Sequence, residues 1–263
     1  MTLLRAVAAE LPKTASLPAS LVAVAITAIG SLGITLLNAF SVRNAIQSGR
    51  TDLVGYTSPV EAAFSAAPLG TVGAVILGVV VISSEYTANS SELGGGRQIT
   101  TTLTATPRRL HVLIAKAVSV VLLTAVTAAV TMPACLTVAH LVVGGAAAAS
   151  DDLTDTIARS VGAALYWLLT ALIAVSVTVL TRSGVIPLIF LIVNSSLVSF
   201  SLLLTKLTPL ARYLPDLAGL TLFARGPFAM DHPLGPLPGG LVMTAWAVGL
   251  LTVSALVFVR RDA

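Results

Sequence analysis

The chain has 263 residues, 56% of them hydrophobic and 10% charged, with a mean hydropathy of +0.96. A soluble domain carries about 25% charged residues, so this composition excludes a large water-facing surface and requires the bilayer as solvent for much of the chain. The net charge of +4 and pI near 9.6 do not indicate a nucleic-acid binder. Zinc-finger spacing, an aromatic platform and a long basic run are all absent, and excess Lys and Arg serve to hold membrane loops on the cytoplasmic side.

In chain order, Leu3, Leu4, Val7 and Leu11 share one helical face, with Arg5, Glu10 and Lys13 elsewhere and an interruption expected at Pro12. Residues 1–16 therefore read as a short helix lying in the membrane interface. The first apolar run, 17–40, is long enough to cross at about 20 residues per span. It is too long for a signal peptide and lacks a small-residue cleavage site. The second span, 62–84, has Pro68 suited to a helix start, and Gly70, Gly73 and Gly78 read equally as close-contact positions or as ordinary packing.

The run 112–146 exceeds one bilayer thickness. It predicts a single long helix, kinked at Pro133 and protruding into the cytoplasm, with Lys116 near its start. Cys135, the one cysteine, lies inside this run and can form no internal disulfide. Asp151, Asp152 and Asp155 precede span four, 157–180, where they suit capping and the helix dipole better than a calcium site. A short link, Thr181 to Gly184, leads into span five, 185–204. The semi-apolar, proline-rich stretch 205–238 reads as a re-entrant or interfacial outer segment. Span six, 239–259, ends at Arg260 and Arg261. The expectation is an all-α membrane protein with six spans in a single domain, 1–263.

Orientation follows from the basic residues. With both termini cytoplasmic, nine Lys and Arg lie inside and six outside. The inner set is Arg5, Lys13, Arg97, Arg108, Arg109, Lys116, Arg182, Arg260 and Arg261. Arg43, Arg50, Arg159, Lys206, Arg212 and Arg225 form the outer set.

The most polar inner stretch is Glu85 to His111. Ile99, Leu103 and Leu110 fall on one helical face, although Thr100, Thr101 and Thr102 weaken helix propensity, so such a helix needs a partner surface. The alternative is a solvated loop whose charges fix topology. Gly94, Gly95 and Gly96 are not a phosphate loop, because G-x-x-x-x-G-K-[ST] does not occur in the chain.

Ser84-Glu85-Tyr86, the threonine-rich stretch 100–104, and Leu103-Thr104-Ala105-Thr106-Pro107-Arg108-Arg109 followed by Lys116 give the chain its resemblance to the type-2 ABC export family. These are bacterial permeases that work with a separate ATPase, and the alanine-rich, lysine-poor composition fits a GC-rich, actinobacterial-like source. Members show an acidic residue, a Gly-Thr pair, a Leu-x-x-Thr/Val-Pro-x-Arg run and then Lys. Here Gly96-Arg97 stands where Gly-Thr is usual, and the segment between Glu85 and Thr101 is longer.

The resemblance extends over nearly the whole chain and implies a coupling helix between spans two and three, near Glu92 to Arg109, seated in a groove of the ATPase. It assigns ATPase coupling to Glu85, Glu92, Arg97, Ile99, Leu103, Thr106, Pro107, Arg108 and Arg109. Arg97, Arg108 and Arg109 would make ionic contacts, Ile99 and Leu103 apolar ones, and Pro107 would end the helix. It further implies a homodimer or a heterodimer with a related permease in the plasma membrane. ATP and magnesium would be held by the partner subunit, with no cofactor in this chain. The cargo expected is a hydrophobic or amphipathic small molecule.

Three other classes compete. An ion-coupled carrier needs ionisable groups within the membrane, whereas the span interiors offer Asn38, Asn194, hydroxyls and His140. A membrane enzyme lacks support, because neither G-x-S-x-G nor H-E-x-x-H occurs and His111, His140 and His232 are scattered. An accessory membrane protein is the third. The triplets Asn89-Ser90-Ser91 and Asn194-Ser195-Ser196 read as chance sequons.

Overall fold

The computed structural model describes residues 2–86, 99, 102, 109–144, 152–195, 200–225 and 233–260. Among them the chain is all-helical, with five helices long and apolar enough to cross a membrane.

Helix α1, Leu3–Ser16, passes through Pro12 and stops at Leu17. The expected interruption is therefore displaced. Proline inside a helix removes one hydrogen bond and costs about 3 kcal/mol, but Glu10, Lys13 and Thr14 on either side of it are anchored to the bundle. Leu17 has φ −64° and ψ 126°, the extended conformation that a following proline imposes. Pro18 then opens α2, Pro18–Gln47.

Helix α3, Pro59–Phe64, is capped by Ser58, whose hydroxyl accepts from the Val60 and Glu61 amides. After a turn at Ser65 and Ala66 it leads into α4, Ala67–Ser83, which ends in a 3-10 turn, Ser84–Tyr86. Helix α5, Arg109–Val143, runs unbroken through Pro133 for 35 residues, about 52 Å at 1.5 Å per residue. Asp152 caps α6, Leu153–Thr181, accepting from the Thr154 amide. Arg182, in the left-handed conformation at φ 50°, ends that helix.

The run expected as span five contains α7, Val185–Ser195, and α8, Phe200–Thr205. Residues 196–199 between them lie outside the described residues. Within the stretch 205–238, Leu207 and Leu210 are exposed and Leu217 to Leu220 are buried. The stretch forms a 3-10 turn, Pro209–Tyr213, and α9, Pro215–Leu220. Helix α10, Pro236–Arg260, closes the chain.

On α2, burial is inverted relative to a helix of a water-soluble bundle. Small and hydroxyl residues such as Ser31, Thr35 and Ala39 face inward on α2, while Ile29 is 71% exposed. In lipid, large aliphatic side chains gain nothing by hiding, and small residues let backbones approach. The centre lies between the span Pro59–Tyr86 and α6, each with a hydropathic window 67% buried, against 17% for α10. There Trp167 lies over Gly70 and donates its indole N–H to the Ala67 carbonyl at 2.8 Å. Further along α4, Gly78 faces the Ala171 carbonyl.

Candidate functional site

Glu10 and Lys13 sit three apart on α1, so they share a helix face. That face turns inward: Ala6, Glu10 and Thr14 are buried, whereas Leu4 is exposed. Lys13 Nζ donates to Glu85 Oε1 at 2.5 Å. Lys116, two turns into α5, donates to Glu85 Oε1 at 2.9 Å and to Glu10 Oε2 at 2.8 Å. The Thr102 hydroxyl donates to the other Glu85 oxygen at 2.8 Å. Glu85 is only 2% exposed and Lys116 4%.

Two carboxylates and two ammonium groups thus form a neutral, largely dry cluster. It fastens together α1, the end of α4, the start of α5 and the segment that carries Thr102. Buried charges are tolerated when paired and hydrogen-bonded in this way, and removing one partner strands the other. Beneath the cluster, Ile99 and Phe258 help to line a void of about 10 Å³ that Glu85 and Lys116 also border.

Of the residues assigned to ATPase coupling, the structure places three. Glu85 is the centre of the cluster and faces its own chain. Ile99 is buried, 4% exposed, and borders the void beneath the cluster. Arg109 is half-buried at the first position of α5. Glu92, Arg97, Leu103, Thr106, Pro107 and Arg108 lie outside the described residues.

A second charged cluster occupies the opposite end of the bundle. Arg159 of α6, 4% exposed, makes a two-pronged contact with Glu61 at 2.6 and 3.0 Å. Its Nε donates to the Phe223 carbonyl at 2.7 Å, and its guanidinium lies 4.3 Å from the centre of the Phe64 ring. Asp155, one turn before Arg159, pairs with Arg225. One arginine therefore ties α3, α6 and the residues after α9 together, in the forked geometry that lysine cannot supply.

Sequence reasoning missed both clusters. It assigned Glu10 and Lys13 to the polar face of an interfacial helix, and Arg159 to an outer loop set. One available signal was Arg159 inside an apolar run, four residues after Asp155. The interior is free of acidic groups along the middle of the spans but not at their ends. Among the described residues, neither cluster pairs a nucleophile with a base, and each is built to hold elements together.

No protein-family model matches the chain, and no curated protein matches it.

Proposed function

We propose that this chain is the membrane subunit of an ABC-type exporter, energised by a separate ATPase that binds ATP and magnesium. The observation that carries the reading is the buried cluster around Glu85. Through Thr102 it joins the segment expected to meet the ATPase directly to α1, α4 and α5. A displacement of that segment would move three helices as one, because separating any of them exposes an unpaired buried charge. Closure of the ATPase then favours whichever arrangement of the helices its contacts prefer.

In this reading the chain crosses the membrane six times, with α7 and α8 together supplying the fifth crossing, and both termini are cytoplasmic. Two subunits, identical or related, enclose the path in the plasma membrane, and the cargo is a hydrophobic or amphipathic small molecule. A tag at either terminus is expected to be protected in sealed right-side-out cells, and one inserted near Ser150 to be accessible. An accessible C-terminal tag would overturn the topology.

The coupling assignment is tested by replacing Arg108 and Arg109 together with Glu. Co-purification of the proposed ATPase partner is expected to fall at least about tenfold, the equivalent of 1.4 kcal/mol, with membrane insertion unchanged. Undiminished co-purification would reject the interface.

The buried carboxylates also favour a second reading, an ion-coupled carrier. Against it, both oxygens of Glu85 are already engaged by Lys13, Lys116 and Thr102. Transport that stops when the membrane potential is collapsed, with ATP retained, would favour the carrier.

A further inference from the structure

Helices α2 and α5 lie side by side and run in the same direction. Thr27 borders one small void with Thr124 and Thr127. Further along, Ala39 and Val42 pack in one cluster with Cys135 and Ala139, and at the far end Arg43 donates to the Val142 carbonyl at 3.3 Å. The two chains therefore rise in register, and Ser31 and Thr131 fall in the turns between these contacts. Side chains along the middle of this seam are mostly alanine, serine and threonine.

The hydroxyls on it are of two kinds, and Thr27 is of the first, donating to the Ala23 carbonyl four residues earlier at 3.1 Å. Ser119, Thr127, Thr170, Ser176 and Thr178 each donate to the carbonyl four residues earlier, the usual way a helix satisfies a hydroxyl in lipid. Ser20, Ser31, Thr124 and Thr131 are at most 3% exposed, and their hydroxyl oxygens have no hydrogen-bond partner. A buried hydroxyl without a partner costs free energy, so four of them on two facing helices need an explanation. Alanine would pack the same seam without that penalty. Between Pro18 and Val42, and between Ala117 and Val143, there is no Asp, Glu, Lys or Arg.

We propose that this seam is a cargo-binding surface, uncovered when α2 and α5 part, and that it takes an uncharged amphipathic molecule carrying hydroxyl or carbonyl groups. Ser31, Thr124 and Thr131 would exchange hydrogen bonds with those groups, and the alanines and threonine methyls would meet its apolar part. A charged cargo would find no countercharge along the strip, which is costly at membrane depth. The inference rests on the transport reading and gives that reading a substrate class.

Cys135, the single cysteine, is 1% exposed and lies one turn beyond Thr131 on α5, so its reaction with N-ethylmaleimide reports opening of the seam. The full-length chain is placed in phosphatidylcholine vesicles, and labelling is followed by mass spectrometry. Sub-solubilising decyl glucoside is expected to slow labelling at least about fivefold, the scale of one retained hydrogen bond. Decyltrimethylammonium, with the same tail and a charge, is expected to leave the rate unchanged. Thr131→Val alone should weaken the protection, and Ser31→Ala with Thr124→Val and Thr131→Val should abolish it. Equal protection by both amphiphiles, protection that survives the triple substitution, or a Cys135 that never labels would each overturn the proposal. No ATPase is present in this assay. Intact protection in a chain that captures no ATPase would refute the proposed function and leave the seam standing, and the converse result would refute the seam alone.

Discussion

Lys116→Met is expected to destabilise the protein by about 3–5 kcal/mol, the typical effect of removing one partner from a buried ion pair. The ammonium of Lys116 lies between Glu10 and Glu85, bonded to both. Without it, Lys13 alone faces two carboxylates, and the group that joined α1 to α5 is gone. For a chain of this size each kcal/mol moves the thermal midpoint by about 2–4 °C, so Tm in detergent is expected to fall by about 6–20 °C. The double variant Lys116→Met with Glu85→Gln should recover part of that loss, because it leaves Glu10 and Lys13 as a neutral pair. A Tm for Lys116→Met within about 2 °C of the parent, less than 1 kcal/mol on the same scale, would show that the cluster holds nothing together. Under the transport reading the single variant should also uncouple ATP hydrolysis from cargo movement, since the segment bearing Thr102, still tied to α1 through Glu85 and Lys13, would lose its connection to α5.

The second large effect belongs to the packing centre. At Gly70 even a Cβ would overlap the indole of Trp167, which is wholly buried and held by its bond to the Ala67 carbonyl. Gly70→Leu should therefore force α4 and α6 apart, costing about 3 kcal/mol or more, the upper range for overpacking. Gly33 on α2 has open space where its Cβ would stand, and Gly33→Leu there adds only lipid-facing surface. With Trp246→Phe as background, Trp167 is the sole tryptophan, and its fluorescence reads the change directly. Emission is expected to shift to longer wavelength in Gly70→Leu and to stay in place in Gly33→Leu. If both variants keep the parent spectrum and Tm, the close approach of α4 and α6 at this point is refuted.

Several features were legible before the fold was known, and each has a local cause. Helices α2, α5, α6 and α10 fall where long apolar runs lie, because the length of an apolar run is a property of adjacent residues. Asp152 as the cap of α6 follows from the same kind of local reasoning. The two charged clusters were not legible. Glu10 and Lys116 are separated by 106 residues, and Arg159 and Glu61 by 98, so no window of adjacent residues contains both partners. Pro12 misled for a related reason: the proline is locally a helix breaker, and the contacts that carry α1 through it are made by residues on other helices.

By itself, then, the sequence determined the solvent of this protein and the position of most of its long helices, since both depend on apolar content summed over neighbouring residues. Tertiary structure decided which face each helix turns inward. It brought the polar face of α1 onto Glu85 and Lys116 and buried Ile99 in its own bundle. It also set the hydroxyls of α2 against those of α5. In lipid, apolar side chains are equally well solvated on every outward face. Orientation is therefore settled by where charges and small residues find partners, and those partners lie far away along the chain.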